Sequence, residues 1–399
     1  MWGSYLLLRT SAGGDVEIKL RPKCFIYQHR LANYNLVLFQ KLKKLDSLDV
    51  MYFFDQDGDR LSSLLQADVP KSFGGKWLWR NRPIELYLSW SFIFRVIRER
   101  PNVILSEDGG NVLNNFILYV LKPILRYKLI LWGLGEIPSR QISIYKRIAW
   151  PFIRLVWRHC DAILSYSTYG KDIYIRNGVE GSRIFVAHNA IDLGDVEARI
   201  ASYKVASSLQ KRVSGKKVIL FIGRLEATKN VEDLLYAFKE IVSMEKNIIL
   251  LIVGEGDYRK TLEELVARED IKGCYFEGGR DLFGASEYLA FADVCVVPGE
   301  GGLVINHALV HGVPVVVSTG DGTEFDLIKD GLNGFFFDRG DIECLSKKIL
   351  GALESSIMKS YTKSHVSDVP TVEKMVEIFV TAFNYALFHK NKKHAVAES

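Results

Sequence analysis

The chain is predicted to be an α/β protein built from two doubly wound domains that face each other across a cleft. Three observations carry that prediction. The 399 residues suffice for two domains with a full core each. Short apolar runs alternate with helix-period patterns, the sequence form of a parallel sheet covered on both faces. The alternation then restarts at Gly215, after a weakly patterned stretch over 195–214.

Taken in order, residues 24–27 read as a first strand, followed by the polar turn Gln28-His29-Arg30 and a helix over 34–45. Residues 48–54 read as the next strand, ending at the acidic turn that holds Asp55, Asp57 and Asp59. Further buried strands are expected at 103–105, 129–132, 162–165 and 184–186, with helical patterns between them. In the second half, 217–222, 248–253, 274–276, 294–297 and 314–318 read as strands. They alternate with helices over 231–244, 258–267, 285–291 and 303–310. The domains expected are 1–200 and 216–370, with a linker over 201–215. Residues 371–385 form a terminal helix whose continuous apolar stripe needs a surface to cover, and the basic tail after Lys390 is expected to fray.

Composition excludes several classes. Apolar residues make up 48% and charged residues 25%, which rules against extensive disorder, collagen and coiled coil. The five cysteines (Cys24, Cys160, Cys274, Cys295, Cys344) stand singly, with no CxxC and no Cys/His pair at metal spacing. A disulfide framework or structural zinc is therefore disfavoured, and a reducing compartment is expected. The apolar stretch 112–125 is too short to span a bilayer and holds Asn114, Asn115, Lys122 and Pro123. The first twenty residues carry Arg9, Asp15, Glu17 and Lys19 and make a poor secretion signal, so a cytoplasmic location is expected.

Charge is divided unevenly. Residues 1–200 hold 28 Lys/Arg against 19 Asp/Glu, a net +9, while the remainder nets −4. A basic half joined to an acidic half points to an anionic partner on one side. Two stretches concentrate these cations among aromatics: 71–100, with Trp77, Arg80, Arg82 and Trp90, and 138–159, with Arg140, Arg147, Trp150 and Arg154 and no acidic residue. Rings at headgroup depth and cations on lipid phosphates suit the inner face of a membrane, and peripheral association is expected. The alternative is an ordinary helix with apolar residues inward and cations in water. No nucleic-acid module accompanies the charge, so nucleic acid is not an expected partner.

The chemistry concentrates in the second half. Gly223 and Arg224 end a strand, and Lys229 follows before the next helix. A guanidinium fork and a point charge near a helix N-terminus can hold a diphosphate and neutralise it as it leaves. The next loop, Gly254-Glu255-Gly256-Asp257, is glycine-rich but lacks GxGxxG at the helix start, which disfavours a nicotinamide site; the absence of GxxxxGK[ST] disfavours a P-loop ATPase. Gly299-Glu300-Gly301-Gly302-Leu303 follows a strand and opens a helix carrying Asn306 and His307, so its amides suit phosphate or sugar hydroxyls. Further on, Glu324 follows the glycine-rich 318–323 loop. A structural role for these loops is the other reading.

These motifs together carry a resemblance. From Gly223 to Gly334 the chain resembles the donor-binding domain of family 4 of the retaining glycosyltransferases, which have the GT-B fold. The matching elements are the GRL turn with Lys229-Asn230, LLIVGEGD, ADVCVVP, the glycine-rich loop before GLVINHAL, HGVPVV and TEFDLIKDGLNGFFF. The N-terminal half is similar more loosely, through QHRLANYNLVLFQKL, LILWGLG and VAHNAID. The resemblance implies two Rossmann-like domains and a terminal helix that crosses back onto the N-terminal domain. It also implies a UDP- or GDP-sugar donor against the C-terminal domain, no tightly bound cofactor and no required metal. Gly223, Arg224, Lys229, Gly254, Gly299, Glu300, Gly301, Gly302, Leu303, His307 and Glu324 would form the donor site. Arg224 and Lys229 would hold the diphosphate, and the acceptor would enter through the N-terminal domain.

Two departures bear on activity. The family normally places two glutamates eight positions apart; here the second position is His307 and the first is Gly299, with Glu300 one step out of register. A branch with histidine at the helix position looks like this, so His307 is expected in the donor site, a buried structural histidine being the alternative. Related proteins often carry histidine where this chain has Leu134, which can neither accept nor donate a proton. Either Glu107, Asp108 or Glu136 then contacts the sugar, with Glu107 after a strand of the acceptor half the preferred catalytic carboxylate, or activity is reduced. His29 is read as either facing the cleft or capping a turn. Asp55, Asp57 and Asp59 are read as a solvated turn and not a metal site.

The leading expectation is a metal-independent retaining transferase that extends a membrane-linked glycan in surface polysaccharide or lipopolysaccharide assembly. The same transfer to a soluble or protein acceptor, and a non-catalytic transferase-like partner protein, are the alternatives. An epimerase or phosphorylase is disfavoured.

Overall fold

A computed structural model describes residues 5–9, 15–19, 21–29, 35–54, 76–79, 86–109, 111–139, 144–194, 207–280 and 284–389. Arg30, Asp55, Asp57, Asp59, Arg80, Arg82, Arg140, the 195–206 stretch and the tail from Lys390 lie outside the described residues.

The N-terminal half contains strands β1 (Tyr5–Arg9), β2 (Asp15–Lys19), β3 (Lys23–Gln28), β4 (Asp49–Phe54), β5 (Lys76–Trp79), β6 (Leu86–Leu88), β7 (Val103–Glu107), β8 (Lys128–Gly133), β9 (Ala162–Ser165) and β10 (Ile184–Val186). Its helices are α1 (Leu36–Lys43), α2 (Trp90–Glu99), α3 (Val112–Leu125), α4 (Ile144–His159) and α5 (Thr168–Arg176). Six strands pair in parallel in the order β10-β9-β8-β7-β3-β4. The antiparallel ribbons β1–β2 and β5–β6 stand apart from that sheet and were not expected.

The C-terminal half opens with α6 (Ser207–Val213) and continues with β11 (Lys217–Ile222), α7 (Val231–Met244), β12 (Ile248–Val253), α8 (Arg259–Arg268), β13 (Cys274–Gly278) and α9 (Ser286–Leu289). It then runs through β14 (Val294–Val297), α10 (Val304–Val310), β15 (Val315–Ser318), α11 (Glu324–Leu327), β16 (Gly334–Phe337), α12 (Ile342–Glu354) and α13 (Ser356–Ser364). The parallel order is β13-β12-β11-β14-β15-β16. Every residue of β12 (IILLIV) is buried, as a strand covered on both faces requires. Part of the expected linker is α6: its Leu209 and Val213, four apart and so on one helix face, are buried in the C-terminal core.

The chain ends in α14 (Val372–Phe388), started by Thr371, whose hydroxyl accepts from the Lys374 amide. Its Val372, Met375, Phe379, Ala382, Phe383 and Ala386 are buried in the N-terminal core beside α1. The Phe379 ring meets Trp132 edge-on at 5.0 Å, and Lys41 pairs with Glu373 at 2.8 Å. The terminal helix therefore crosses back onto the first domain, completing the GT-B arrangement. Helices α2, α3 and α4 cover the opposite face of the N-terminal sheet.

Each sheet reverses its strand order once, between β3 and β7 and between β11 and β14. Crevices at the carboxyl ends of strands flanking such reversals are where doubly wound folds bind ligands.

Candidate active site

The two reversal points bring the chemistry together. In the C-terminal domain, Gly223 and Arg224 follow β11, while Gly299 and Glu300 follow β14. Lys229 ends a short turn before α7, and its ammonium donates to the Glu300 carbonyl, so the two loops meet. Arg224 remains in solvent at 79% side-chain exposure, its guanidinium donating to Glu226 at 2.8 Å. Two cations and an amide-rich loop thus stand at one strand-end crevice, a composition suited to a polyphosphate.

The glycines of these loops serve a different immediate purpose from that read in the sequence. A Cβ on Gly254 would collide with the Gly223 carbonyl, and one on Gly299 would collide with the Thr228 carbonyl. The loops after β11, β12 and β14 therefore stack backbone on backbone. Leu225 donates to the Glu255 carbonyl at 2.9 Å, and Tyr258 to the Leu225 carbonyl at 3.0 Å, tying the first two together. Gly301 and Gly302 are half-buried, Leu303 is buried, and Gly302 has a φ of 64°, the left-handed turn that lets the loop enter α10.

Glu324 is buried, at 1% exposure. Its two oxygens accept from the Gly320 amide at 2.7 Å and the Gly322 amide at 3.0 Å, so it shapes the loop after β15. Burial pushes its carboxyl up, and the amide bonds offset part of that. His307 lies on α10, every residue of which is buried. Its Nε2 is 2.7 Å from the Ser286 hydroxyl on α9, its Nδ1 has no partner among the described residues, and its ring is edge-on to His311 at 4.8 Å. Burial first, then the neighbouring His311, depress its pKa to about 3, so the imidazole is neutral near pH 7. His307 thus faces Ser286 from inside the domain, an arrangement its spacing from Gly299 did not disclose.

In the N-terminal domain, His29 and Glu107 stand side by side after β3 and at the end of β7. Both are half-buried, the Glu107 carboxylate accepts from the His29 amide at 3.3 Å, and the His29 ring meets Tyr87 edge-on at 4.6 Å. Asp108 is committed elsewhere. Trp157 donates to one of its oxygens at 2.7 Å and Tyr174 to the other at 2.8 Å, deep against the helix layer. Leu134 and Glu136 lie half-buried in the turn after β8.

Contacts across the cleft hold the halves together. Ser139 donates from its hydroxyl to Glu300 at 3.3 Å and from its amide to the Gly320 carbonyl at 3.2 Å. Asp326, at the end of the Glu324 turn, accepts from both the amide and the hydroxyl of Thr168, and lies 3.0 Å from His188 Nε2. Burial pushes its carboxyl up, but the bonds from His188 and Thr168 outweigh that and hold it below the usual carboxylate range. None of Ser139, Thr168, His188 and Asp326 was singled out in the sequence. The VAHNAID run that contains His188 and the TEFDLIKDGLNGFFF run that contains Asp326 were the nearest signals. Among the described residues, no three His, Cys, Asp or Glu side chains are grouped to hold a metal ion.

Residues 207–365 match the model of the family described as glycosyl transferases group 1. An uncharacterized glycosyltransferase of Methanocaldococcus jannaschii is 21% identical over 244 residues, which is 58% of this chain and 61% of that protein. The 2-deoxystreptamine N-acetyl-D-glucosaminyltransferase of Niallia circulans is 24% identical over 277 residues, 60% of this chain and 70% of that one. The crystal structure of Anabaena HepE in complex with UDP superposes with a TM-score of 0.71 at 16% identity, covering 91% of this chain and 99% of that one. The match to the first of these relatives spans about three fifths of its length. The chain has the GT-B fold, and its C-terminal domain is related to the glycosyl transferases group 1.

Proposed function

We propose that the chain is a retaining glycosyltransferase that moves a hexose-type sugar from a UDP- or GDP-sugar to a membrane-linked glycan acceptor. Surface polysaccharide or lipopolysaccharide assembly at the cytoplasmic face of the membrane is the setting that fits. The observation that carries this reading is the meeting of Lys229 with the Glu300 loop, with Arg224 at the same C-terminal reversal point, while His29 and Glu107 lie at the reversal point of the N-terminal sheet. Anabaena HepE, of the same fold, is described in complex with UDP, which supports a nucleoside-diphosphate donor.

In this mechanism Arg224 and Lys229 bind the diphosphate and stabilise the charge that grows as it leaves, work that a divalent metal does elsewhere. The bond from the sugar anomeric carbon to phosphate breaks, and a bond from an acceptor hydroxyl to the same face of that carbon forms. Attack on the face that the leaving group departs from retains the configuration, and the acceptor proton passes to the departing phosphate oxygen. Glu107 and its His29 neighbour orient the acceptor hydroxyl. His307, neutral and bonded to Ser286, positions α10 behind the glycine loop and transfers no proton.

A thermal-shift panel of UDP, GDP, TDP, ADP and CMP, with and without magnesium, tests the donor site on wild type and Arg224→Ala. One nucleoside diphosphate should raise the midpoint without magnesium. The variant should bind it about tenfold to a hundredfold more weakly, the range for a charged hydrogen bond. No shift from any nucleotide would sink the enzyme reading.

Two other readings have an observation each. The Niallia circulans relative is named for 2-deoxystreptamine, which favours a soluble acceptor. Leu134 in the turn after β8 and the sequestered His307 favour a non-catalytic partner protein, for which donor binding would persist without turnover.

A further inference from the structure

The helix layer α2–α3–α4 carries a second apolar stripe on its solvent side. Of thirteen large apolar side chains exposed among the described residues, seven stand on these three helices. On α2, Trp90, Phe94 and Ile97 recur at the spacing of one helix face, opposite the buried Phe92, Ile93 and Val96. Ile124 on α3 is 69% exposed and Ile148 on α4 is 65% exposed, so neither is packed within the domain. Phe152, half in solvent, meets Phe116 edge-on at 5.3 Å and joins the α4 stripe to α3. A soluble domain rarely leaves so many large apolar groups together on one face unless something covers it.

The charges on that layer are almost all positive: Glu99, at the end of α2, is the single carboxylate of the three helices, and Arg95 pairs with it at 2.5 Å. Neither α3 nor α4 contains an aspartate or glutamate, and from Gly109 to Gly135 the chain has no carboxylate. Where α3 and α4 end together, an open groove of about 600 Å³ is lined by Tyr119, Lys122, Arg126, Tyr127, Lys128 and His159, with Val120 of the stripe on its rim. Lys122 and Lys128 share Asp161 at 2.7 and 3.3 Å, which fixes them at the groove and leaves one of their two charges over. Arg126, exposed and in a left-handed conformation after α3, adds a guanidinium fork.

We propose that this face docks on an anionic lipid bilayer. The stripe from α2 to α4 enters the headgroup boundary, and the groove takes a lipid phosphate between Arg126 and Lys122. Isoleucine, phenylalanine and tryptophan lose contact with water there while the excess of cations meets phosphates, a combination the fluid bilayer satisfies. Trp90 and Ile148 lie in the early turns of α2 and α4, at the carboxyl-end side of the sheet, and the groove lies at its amino-end side, so the domain docks side-on with the cleft at one edge of the contact. The docking face stands on these residues alone; its use to reach a lipid-linked acceptor rests on the transferase reading.

Co-sedimentation with vesicles of phosphatidylcholine alone, and of phosphatidylcholine mixed equally with phosphatidylglycerol, tests the proposal on the full chain. Wild type should bind the anionic vesicles and leave the neutral ones. Arg126→Ala should weaken binding about fivefold at low salt, the effect of one cation near the surface, and Ile124→Asp more strongly. Ile357→Asp, a similarly exposed site on the C-terminal α13, should bind as wild type does. Equal binding to both vesicles, no binding, or equal loss in the Ile357→Asp control would overturn the proposal. The nucleotide thermal shift on the same samples separates the two readings. Vesicle binding without a nucleotide shift removes the transferase and leaves the docking face, and the reverse result removes the docking face alone.

Discussion

Acid should destabilise this protein through His307 before it reaches most of the carboxylates. The imidazole is fully buried, and its pKa is about 3 in the folded chain against an ordinary 6.5 when unfolded. A group whose folded pKa is depressed contributes stability that is present above the unfolded value and lost as pH falls toward the folded value. Between pH 7 and pH 5 the unfolded chain takes up a proton that the folded chain refuses, at a cost of about 2 kcal/mol set by how far pH 5 lies below the unfolded value. Gln at this position keeps a polar group where Nε2 meets Ser286 and removes the titration. Urea unfolding at both pH values should therefore show wild type losing about 2 kcal/mol more than His307→Gln. Equal losses in the two proteins would refute the burial argument, and with it the claim that His307 transfers no proton. The same reasoning predicts no inflection near pH 6.5 from this residue in a pH–rate profile.

Two further outcomes follow from the geometry. Glu107→Ala, which removes the group that orients the acceptor hydroxyl, should lower transfer by about a hundredfold while the nucleotide thermal shift is unchanged, since the residue lies in the acceptor half; transfer within a few-fold of wild type would remove Glu107 from the reaction. Asp326→Asn should weaken the cleft-spanning contact with Thr168 and His188 by roughly 1.5–3 kcal/mol, the range for hydrogen bonds to a charged group. Small-angle scattering should then give a larger radius of gyration without nucleotide, and a profile equal to wild type would show that Asp326 does not hold the halves together.

How much of this was legible in the sequence follows the physics of each signal. Strands such as Lys217–Ile222, Ile248–Val253 and Val294–Val297 were read at their observed bounds, because central parallel strands are continuous apolar runs between turns. The β1–β2 and β5–β6 ribbons were missed, since no pattern marked them as paired. The terminal helix was legible through its stripe, which now lies against Trp132 and α1. The α6 segment was read as linker because seven residues give two apolar positions, too few for a period. Partners distant in the chain left no local trace: nothing near Asp326 announces Thr168, 158 positions away.

The glycines show where a local signal was real and its cause lay elsewhere. Gly254 and Gly299 are required because neighbouring loops pack against them, yet that packing is also what builds the site. Stacking the β12 loop on the β11 loop seats Leu225 and leaves Arg224 pointing into solvent. Stacking the β14 loop on the turn at Thr228 and Lys229 brings the lysine ammonium to the Glu300 carbonyl. A side chain at Gly254 would meet the Gly223 carbonyl, and one at Gly299 would meet the Thr228 carbonyl and the Lys229 backbone, so either would push these loops apart and separate the two cations. In the proposed donor site both glycines would therefore act through Arg224 and Lys229, by setting the spacing of the charges that hold the diphosphate.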